Sequence, residues 1–330
     1  MYTLSILDKS PIPPGKDALS ALSGTVRLAK RADELGYHRF WVAEHHGSEE
    51  LASSAPEVLI SWILAKTSRI RVGSGGVMLQ HYSPYKVAEV FNVLSCLAPD
   101  RIDLGVGKTP GGLPRSTEAL QVYYKGKPGF TEQLGELNRF LDAAQSQERG
   151  DTAFAGPCPK IGAERFLLGA SPESAQIAAD FGWNFVFAGH LNGDEDNLKR
   201  SLDLYRQASG GRSPVVALAV YAAENAKLAA ARVAELKIFK ITLETGQSQL
   251  VGSLDRAKEF ARQAGVEDYK VEERIPAVLY GTPATIRAEL GRLSATYGIE
   301  EFVLDPPVVD AQERLACIEL LAPKGVTLAA

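Results

Sequence analysis

The chain has 330 residues, 45% hydrophobic and 23% charged, with 36 basic against 40 acidic side chains and a net charge of −4. Ordinary apolar content and small net charge exclude a disordered chain, and the lack of any Lys/Arg run longer than two excludes an electrostatic partner for nucleic acid. The longest apolar run, Val215–Ala223, is nine residues, about half the ~20 a membrane-spanning helix needs, and Met1–Ser10 lacks the basic-then-apolar pattern of an export signal, so neither membrane nor export is expected.

In chain order, Thr3–Leu7 reads as a strand. Ala18–Gly36 reads as an amphipathic helix, with Val26, Ala29, Ala32 and Leu35 at helical spacing and Gly36 to end it. Phe40–His46 is the second strand and Pro56–Thr67 a helix opened by proline. Arg71–Leu79 is the third strand, followed by a helix from Pro84 to about Leu97, and Arg101–Gly107 is the fourth strand. A Gly/Pro loop (Thr109–Pro114), a helix around Thr131–Gln145 and a second loop (150–164) lead to strand Phe166–Ala170 and helix Pro172–Phe181. Strand Asn184–Gly189 precedes a helix from Asp194 to Ala208, and strand Val215–Ala222 precedes helices near Ala226–Leu243 and Leu254–Ala264. Glu301–Leu304 and Val309–Leu321 form the last pair.

Eight strands separated by helices predict an α/β architecture, and eight such units favour a closed (β/α)8 TIM barrel over a doubly wound sheet. Ile102, Leu104 and Val106 alternate with Asp103, Gly105 and Gly107, giving one face for helices and one small or polar face for a crowded barrel interior. Glu244–Arg287 is expected as an extension between strands seven and eight, leaving residues 1–330 as one barrel domain.

Chemistry in such barrels sits at the C-terminal strand ends. Glu44-His45-His46 ends strand two, and a carboxylate beside an imidazole suits proton transfer near neutral pH. It suits a metal poorly, because neighbours on a strand point to opposite faces. A polar strand end exposed to solvent is the plainer alternative. Gly73-Ser74-Gly75-Gly76 in strand three implies a bulge, a close ligand or simple crowding. His81 follows in a loop, as suited to the surface as to a site. Gly105-Val106-Gly107-Lys108 opens space and offers a cation; Pro110 stands where a dinucleotide fingerprint needs its third glycine. Gly169-Ala170-Ser171-Pro172-Glu173-Ser174 joins strand five to a helix whose free amides and two hydroxyls could hold an anion, or be an ordinary serine cap. His190, ending strand six, faces the same mouth. Cys96, Cys158 and Cys317 are odd in number and far apart, which fits a reduced cytoplasm and neither a disulfide framework nor a metal site.

At these places the sequence resembles the bacterial luciferase-like flavin monooxygenases, a (β/α)8-barrel family, and within it the single-chain, non-luminescent bacterial members. The likeness is carried by Gly36-Tyr37-His38-Arg39-Phe40-Trp41-Val42-Ala43-Glu44-His45-His46, by Ser53-Ser54-Ala55-Pro56-Glu57, by Arg69–Leu79, Arg101–Gly107 and Ala170–Ser174, and by Gly281-Thr282-Pro283. It runs from about Leu4 to Leu321.

The resemblance implies reduced FMN at the strand ends, O2 as co-substrate, and transfer of one oxygen to a small organic substrate. It implies that His45 is the base, with Glu44 the carboxylate before it. Gly75-Gly76 falls where the family has a non-proline cis peptide beneath the flavin ring, next to Ser74. Lys108 stands where luciferase has a phosphate-binding arginine, without that residue's two-pronged grip. Ala170, Ser171, Glu173 and Ser174 match the remainder of the phosphate site, with His81 and His190 as weaker substrate-side candidates. This site follows strand five, whereas barrel phosphate sites more often follow strands seven and eight. Lys108–Thr131 has no counterpart to the luciferase aldehyde region, so light emission is not implied. The likeness also implies a separate flavin reductase and a homodimer built on Ala55–Thr67, which is apolar around much of its surface through Val58, Leu59, Ile60, Trp62, Ile63 and Leu64. A deazaflavin-dependent dehydrogenase of the same superfamily, a non-catalytic flavin-binding protein of the same fold and an unrelated barrel lyase or isomerase are the alternatives.

Overall fold

The computed structural model describes residues 2–124, 126–145, 153–189 and 194–323. The chain opens with β1 (Thr3–Asp8), α1 (Ala18–Leu35), β2 (Arg39–Val42), α2 (Pro56–Leu64), β3 (Arg71–Met78), a 3-10 turn at Leu79–His81, and α3 (Pro84–Leu97). It continues with β4 (Ile102–Gly107), α4 (Pro114–Gln121), α5 (Phe130–Gln145), β5 (Glu164–Gly169), α6 (Pro172–Asp180), β6 (Asn184–Ala188), α7 (Glu195–Ala208), β7 (Val215–Ala222) and α8 (Ala226–Ala234). An excursion follows: β8 (Ile238–Leu243), β9 (Ser248–Val251), α9 (Leu254–Ala264), β10 (Tyr269–Arg274) and β11 (Val278–Gly281). The chain then returns through α10 (Pro283–Tyr297), β12 (Glu301–Asp305) and α11 (Ala311–Leu320).

Strands β1 to β7 and β12 pair in parallel around a closed ring, since β6 pairs with β7, β7 with β12 and β12 with β1. This is the expected eight-stranded barrel. Alternation sorts the side chains. Ile6, Phe40, Val42, Val72, Leu104 and Val106 pack outward with the helices, while Leu7, Trp41, Ala43, Phe166, Val186, Ala217 and Val303 fill the lumen. Helix ends are fixed locally. Asp17 caps α1 by accepting from Ser20 N, and Gly36 closes it at φ 79°, a left-handed conformation that glycine adopts without penalty.

The lumen is plugged at its N-terminal end by charge. The Arg39 guanidinium bonds Asp103 at 2.9 Å, Glu164 at 2.7 Å and Glu301 at 2.9 Å, and Arg71 reaches Asp103 at 2.8 Å. Complete burial pushes the Asp103 carboxyl upward against the pull of the two arginines. Access is thereby left to the opposite end.

Two expectations are corrected. Strand two is shorter than Phe40–His46; beyond Val42 the chain keeps extended partners one at a time, Ala43 N to Asp8 O, His45 N to Ser53 O and His46 N to Gly111 O. Ala226–Leu243 is not one helix: α8 stops at Ala234, and Ile238–Leu243 is a strand whose alternate residues Ile241 and Leu243 are buried against Phe260 of α9. The alanine-rich start masked that change of period. The extension between the seventh and eighth barrel strands is thus an antiparallel sheet, β10-β8-β9, with α9 packed on it, and β11 then adds to the end of β7. The excursion reaches the barrel mouth: Leu113 packs into its core, Arg256 donates to Gly47 O at 3.1 Å, and Gln263 accepts from Arg115 N at 3.1 Å.

Candidate functional site

Two separate sequence motifs meet where β4 and β5 end. Lys108, just past β4, places Nζ 2.9 Å from Glu173 Oε1 in the first turn of α6. Ser171 is the N-cap of that helix, its hydroxyl accepting from Ser174 N at 3.3 Å and lying 3.2 Å from Ser174 Oγ. Pro172 occupies the first helical position, where no N–H is wanted. Asn197 of α7 donates to Ala170 O at 2.7 Å and fixes the approach to the cap. Gly169 is required by contact: a Cβ there would lie 2.3 Å from Ser174 Cβ. Two hydroxyls, an ammonium and the open amides of a helix N-terminus therefore converge at the rim, a donor set that suits a phosphoryl group.

β3 carries the glycine run along one side of the lumen. The Gly75–Gly76 peptide is cis, as the resemblance implies. The β3–β4 ladder slips between Ser74 and Val77, and the Ser74 hydroxyl bridges the slip, donating to Gly105 O at 2.8 Å and accepting from Gly105 N at 3.1 Å. Ser74 is thus a strut inside the wall. Crowding of the two strands alone accounts for Gly76 and Gly105: a Cβ on Gly76 would come within 2.8 Å of the Gly105 carbonyl, and one on Gly105 within 2.2 Å of Ser74 O. Gly75 faces the lumen floor, where a Cβ would stand 2.7 Å from Leu7 Cδ1.

At the end of β2 the motif Glu44-His45-His46 divides. Continued past β2, the alternation puts Glu44 and His46 on the same side as Phe40 and Val42, away from the lumen cluster. Glu44 Oε1 lies 2.6 Å from His46 Nε2 and accepts from Tyr82 Oη at 2.7 Å, and Glu44 Oε2 accepts from Met78 N at 3.1 Å. Burial, followed by the Glu44 charge, holds the Tyr82 phenol well above its ordinary range, so it remains a donor. His45, half-buried, falls on the lumen side by the same alternation that turns Trp41 and Ala43 inward.

His81 belongs to the outer network. It is buried in the 3-10 turn, with Nε2 2.7 Å from Pro110 O and Nδ1 2.9 Å from Gln121 Nε2, and its ring packs edge-on to His46 at 5.6 Å. These partners assign the proton to Nε2. Burial lowers the imidazole's pKa, against the Pro110 hydrogen bond. His190 lies outside the described residues. Sequence reasoning missed His46 as the partner of Glu44, together with Tyr82 and Gln121. It also missed Lys9 and Asp305, which meet at 2.5 Å at the ends of β1 and β12; their signal was the inward alternation of each strand. Among the described residues no cluster has the make-up of a metal site, and no helix is long and apolar enough to cross a membrane.

The family model for luciferase-like monooxygenases matches residues 3–300. The chain is 44% identical over 332 residues to the N-acetyl-S-alkylcysteine monooxygenase of Bacillus subtilis (strain 168), with 98% of each chain covered. Among solved structures it is similar to apo-MsnO8, at 32% identity and a TM-score of 0.77 over 98% of both chains. It also shares the fold of the oxygenating constituent of 3,6-diketocamphane monooxygenase from Pseudomonas putida, solved in complex with FMN, at 18% identity and a TM-score of 0.70, with 98% of this chain and 97% of that one covered.

Proposed function

Because the chain belongs to the luciferase-like monooxygenase family, we propose that it is a flavin-dependent enzyme that uses reduced FMN and O2 to oxygenate a small organic substrate. The observation that carries this reading is the meeting of Lys108 with the Ser171–Ser174 turn, a cationic, hydroxyl-lined helix start beside a glycine-walled lumen. Ser171, Ser174 and the open amides of α6 would hold the phosphoryl tail, with Lys108 adding charge and Glu173 orienting that lysine. Ala170, Gly75 and Gly76, backed by Ser74, would form the wall against the ring. Reduced FMN bound there would supply the electrons for oxygen activation. Leu7, Trp41, Phe166, Val186 and Val303 keep water from the lumen. His45 holds or returns a proton at the rim, and the Glu44–His46–Tyr82 network fixes the strand end that carries it.

The reductant comes from a separate flavin reductase in the cytoplasm, and the working form is a homodimer. Val58 and Trp62 of α2 and Val93 and Leu97 of α3 are exposed large apolar side chains lining or flanking one groove, a surface suited to burial against a second copy. N-acetyl-S-alkylcysteine thioethers are the first substrates to try, by analogy with the relative in Bacillus subtilis.

The test is a titration with FMN and riboflavin, followed by oxygen uptake and product analysis with N-acetyl-S-methylcysteine. Reduced FMN and a reduced deazaflavin are supplied in separate runs. The expected result is FMN binding, with oxygen uptake and oxygenated product from reduced FMN alone. No affinity for FMN, or substrate turnover with the deazaflavin and no oxygen uptake, overturns the reading.

A further inference from the structure

The ion pair between Lys9 and Asp305 stands at the barrel mouth outside every contact assigned above. Both residues continue inward-facing series. Leu7 precedes Lys9 by two positions on β1 and Val303 precedes Asp305 by two on β12, and both Leu7 and Val303 belong to the lumen cluster. Lys9 Nζ lies 2.5 Å from Asp305 Oδ2, with the lysine side chain 32% exposed and the aspartate 4%. The carboxylate is the buried holder and the ammonium the presented group. An ammonium carries three donors, so the bond to Asp305 leaves two for another acceptor.

Structure alone gives such a pair little reason to exist. The floor beneath it is Leu7, Trp41, Phe166, Val186 and Val303. Burying a carboxylate over an apolar surface costs several kcal/mol, often more than its attraction to a counter-ion returns, and apolar residues of similar volume commonly stabilise as well or better. A cation held at one fixed point over an apolar floor is instead the arrangement that recognises an anion.

Its place in the ring separates it from the phosphoryl grip. In the order β12-β1-β2-β3-β4-β5-β6-β7, β1 stands across the barrel from β5, so Lys9 faces the Ser171–Ser174 turn from the opposite rim. On its own side it adjoins the candidate base. The Ser53 hydroxyl donates to Lys9 O at 3.0 Å, and Ser53 O accepts from His45 N at 3.0 Å. An anion on Lys9 would thus sit beside His45 and away from the phosphoryl tail.

We propose that Lys9, held by Asp305, is the recognition point for a carboxylate on the organic substrate. The inference rests on the monooxygenase reading and narrows its substrate class to small organic acids whose apolar portion lies against that floor.

The test compares binding of N-acetyl-S-methylcysteine with that of its neutral primary amide, by calorimetry on the full chain, with and without saturating FMN. Wild type should prefer the acid by about tenfold, the scale of one charge-assisted hydrogen bond. Lys9→Met should erase the preference, Lys9→Arg keep much of it, and Asp305→Asn widen it by releasing the ammonium from its internal counter-ion. Equal affinity of wild type for acid and amide, including none for either, overturns the proposal, as does a preference that survives in Lys9→Met. If Lys9→Met fails to fold by circular dichroism, Asp305→Asn decides: an unchanged or narrowed preference rejects the role of Lys9. FMN affinity read on the same samples separates the two ideas. Acid preference without FMN binding overturns the flavin reading and keeps the Lys9 assignment, and FMN binding without acid preference does the reverse.

Discussion

Glu44 holds the imidazole of His46 at 2.6 Å, and the intervening residue, His45, falls on the other face by the alternation of extended chain. The carboxylate next to the candidate base in sequence is therefore a clamp on the outer wall, tied also to Met78 N and Tyr82 Oη. It joins the end of β2 to the end of β3 and so sets where residue 45 stands.

Glu44→Ala strips that clamp and leaves the buried Met78 N–H without its acceptor and the Tyr82 O–H with only its longer contact to His46 Nε2 at 3.3 Å. The expected loss is about 3 kcal/mol in urea unfolding, the cost of stranding buried donors. Glu44→Gln, which keeps an acceptor oxygen, should lose about 1 kcal/mol. If Glu44→Ala unfolds like the wild type, the clamp is not structural.

His45→Ala should fold and bind FMN as the wild type does, because its side chain lies apart from the Lys108–Ser171 grip. The rate of oxygenated product formation should fall on the order of 100-fold or more, the usual scale for loss of a general acid–base group, with product per O2 falling as well. Unchanged coupling of oxygen uptake to product would remove His45 from the chemistry.

The rim at α6 makes a prediction with two signs. Ser171→Ala with Ser174→Ala removes two hydroxyl donors and should lower FMN affinity about tenfold while leaving riboflavin, which has no phosphoryl group, nearly unaffected. Glu173→Gln removes the carboxylate that occupies Lys108 and should tighten FMN by a few fold, an effect that shrinks as salt is added. Equal loss for FMN and riboflavin would move the phosphoryl group elsewhere.

Much of this architecture was legible in the chain because barrel strands announce themselves by alternation. Ile102, Leu104 and Val106 against Asp103, Gly105 and Gly107 were assigned to opposite faces, and the outer cluster contains the first three. The convergence of Lys108 on Glu173 followed from the resemblance, since 65 residues separate them and no local pattern predicts their meeting. The pairing of Glu44 was misread because adjacency in sequence on a strand means opposition in space. β8 was missed because an alanine-rich helix runs straight into it and the strand alternates over only Ile238–Leu243. Lys9 and Asp305 stayed hidden for another reason. Each is an ordinary charged residue at a strand end, and only closure of the ring brings β1 beside β12.

Acid should weaken the fold through His81. Its folded pKa is lowered from 6.5 chiefly by burial, so the unfolded chain takes up the proton first as pH falls. The stability held by the neutral ring is fully present above the unfolded value and is lost as pH falls from there through the folded value. Protonation at Nδ1 would also set a donor against Gln121 Nε2 until that amide turned over. Urea unfolding between about pH 7.5 and about pH 5.5, bracketing the ordinary imidazole value, should show the wild type losing stability faster than His81→Gln. Parallel losses in the two proteins would place the acid sensitivity elsewhere.

The α2–α3 face makes the final prediction. Val58 is 65% exposed, Trp62 60% and Leu97 71%, and large apolar side chains grouped in this way on one face are a liability for a lone subunit. A two-fold axis through this face would bury the same patch from both partners and satisfy it by a single self-complementary contact. Trp62→Glu places a charge on that face, where burial without a partner costs several kcal/mol for each copy. Light scattering should therefore give twice the subunit mass for wild type and the subunit mass for Trp62→Glu. FMN affinity should be retained, since α2 lies on the outside of the barrel and Trp62 is remote from the α6 rim. Wild type running as a monomer at micromolar concentration would reject the dimer, and Trp62→Glu running as a dimer would move its interface to another face.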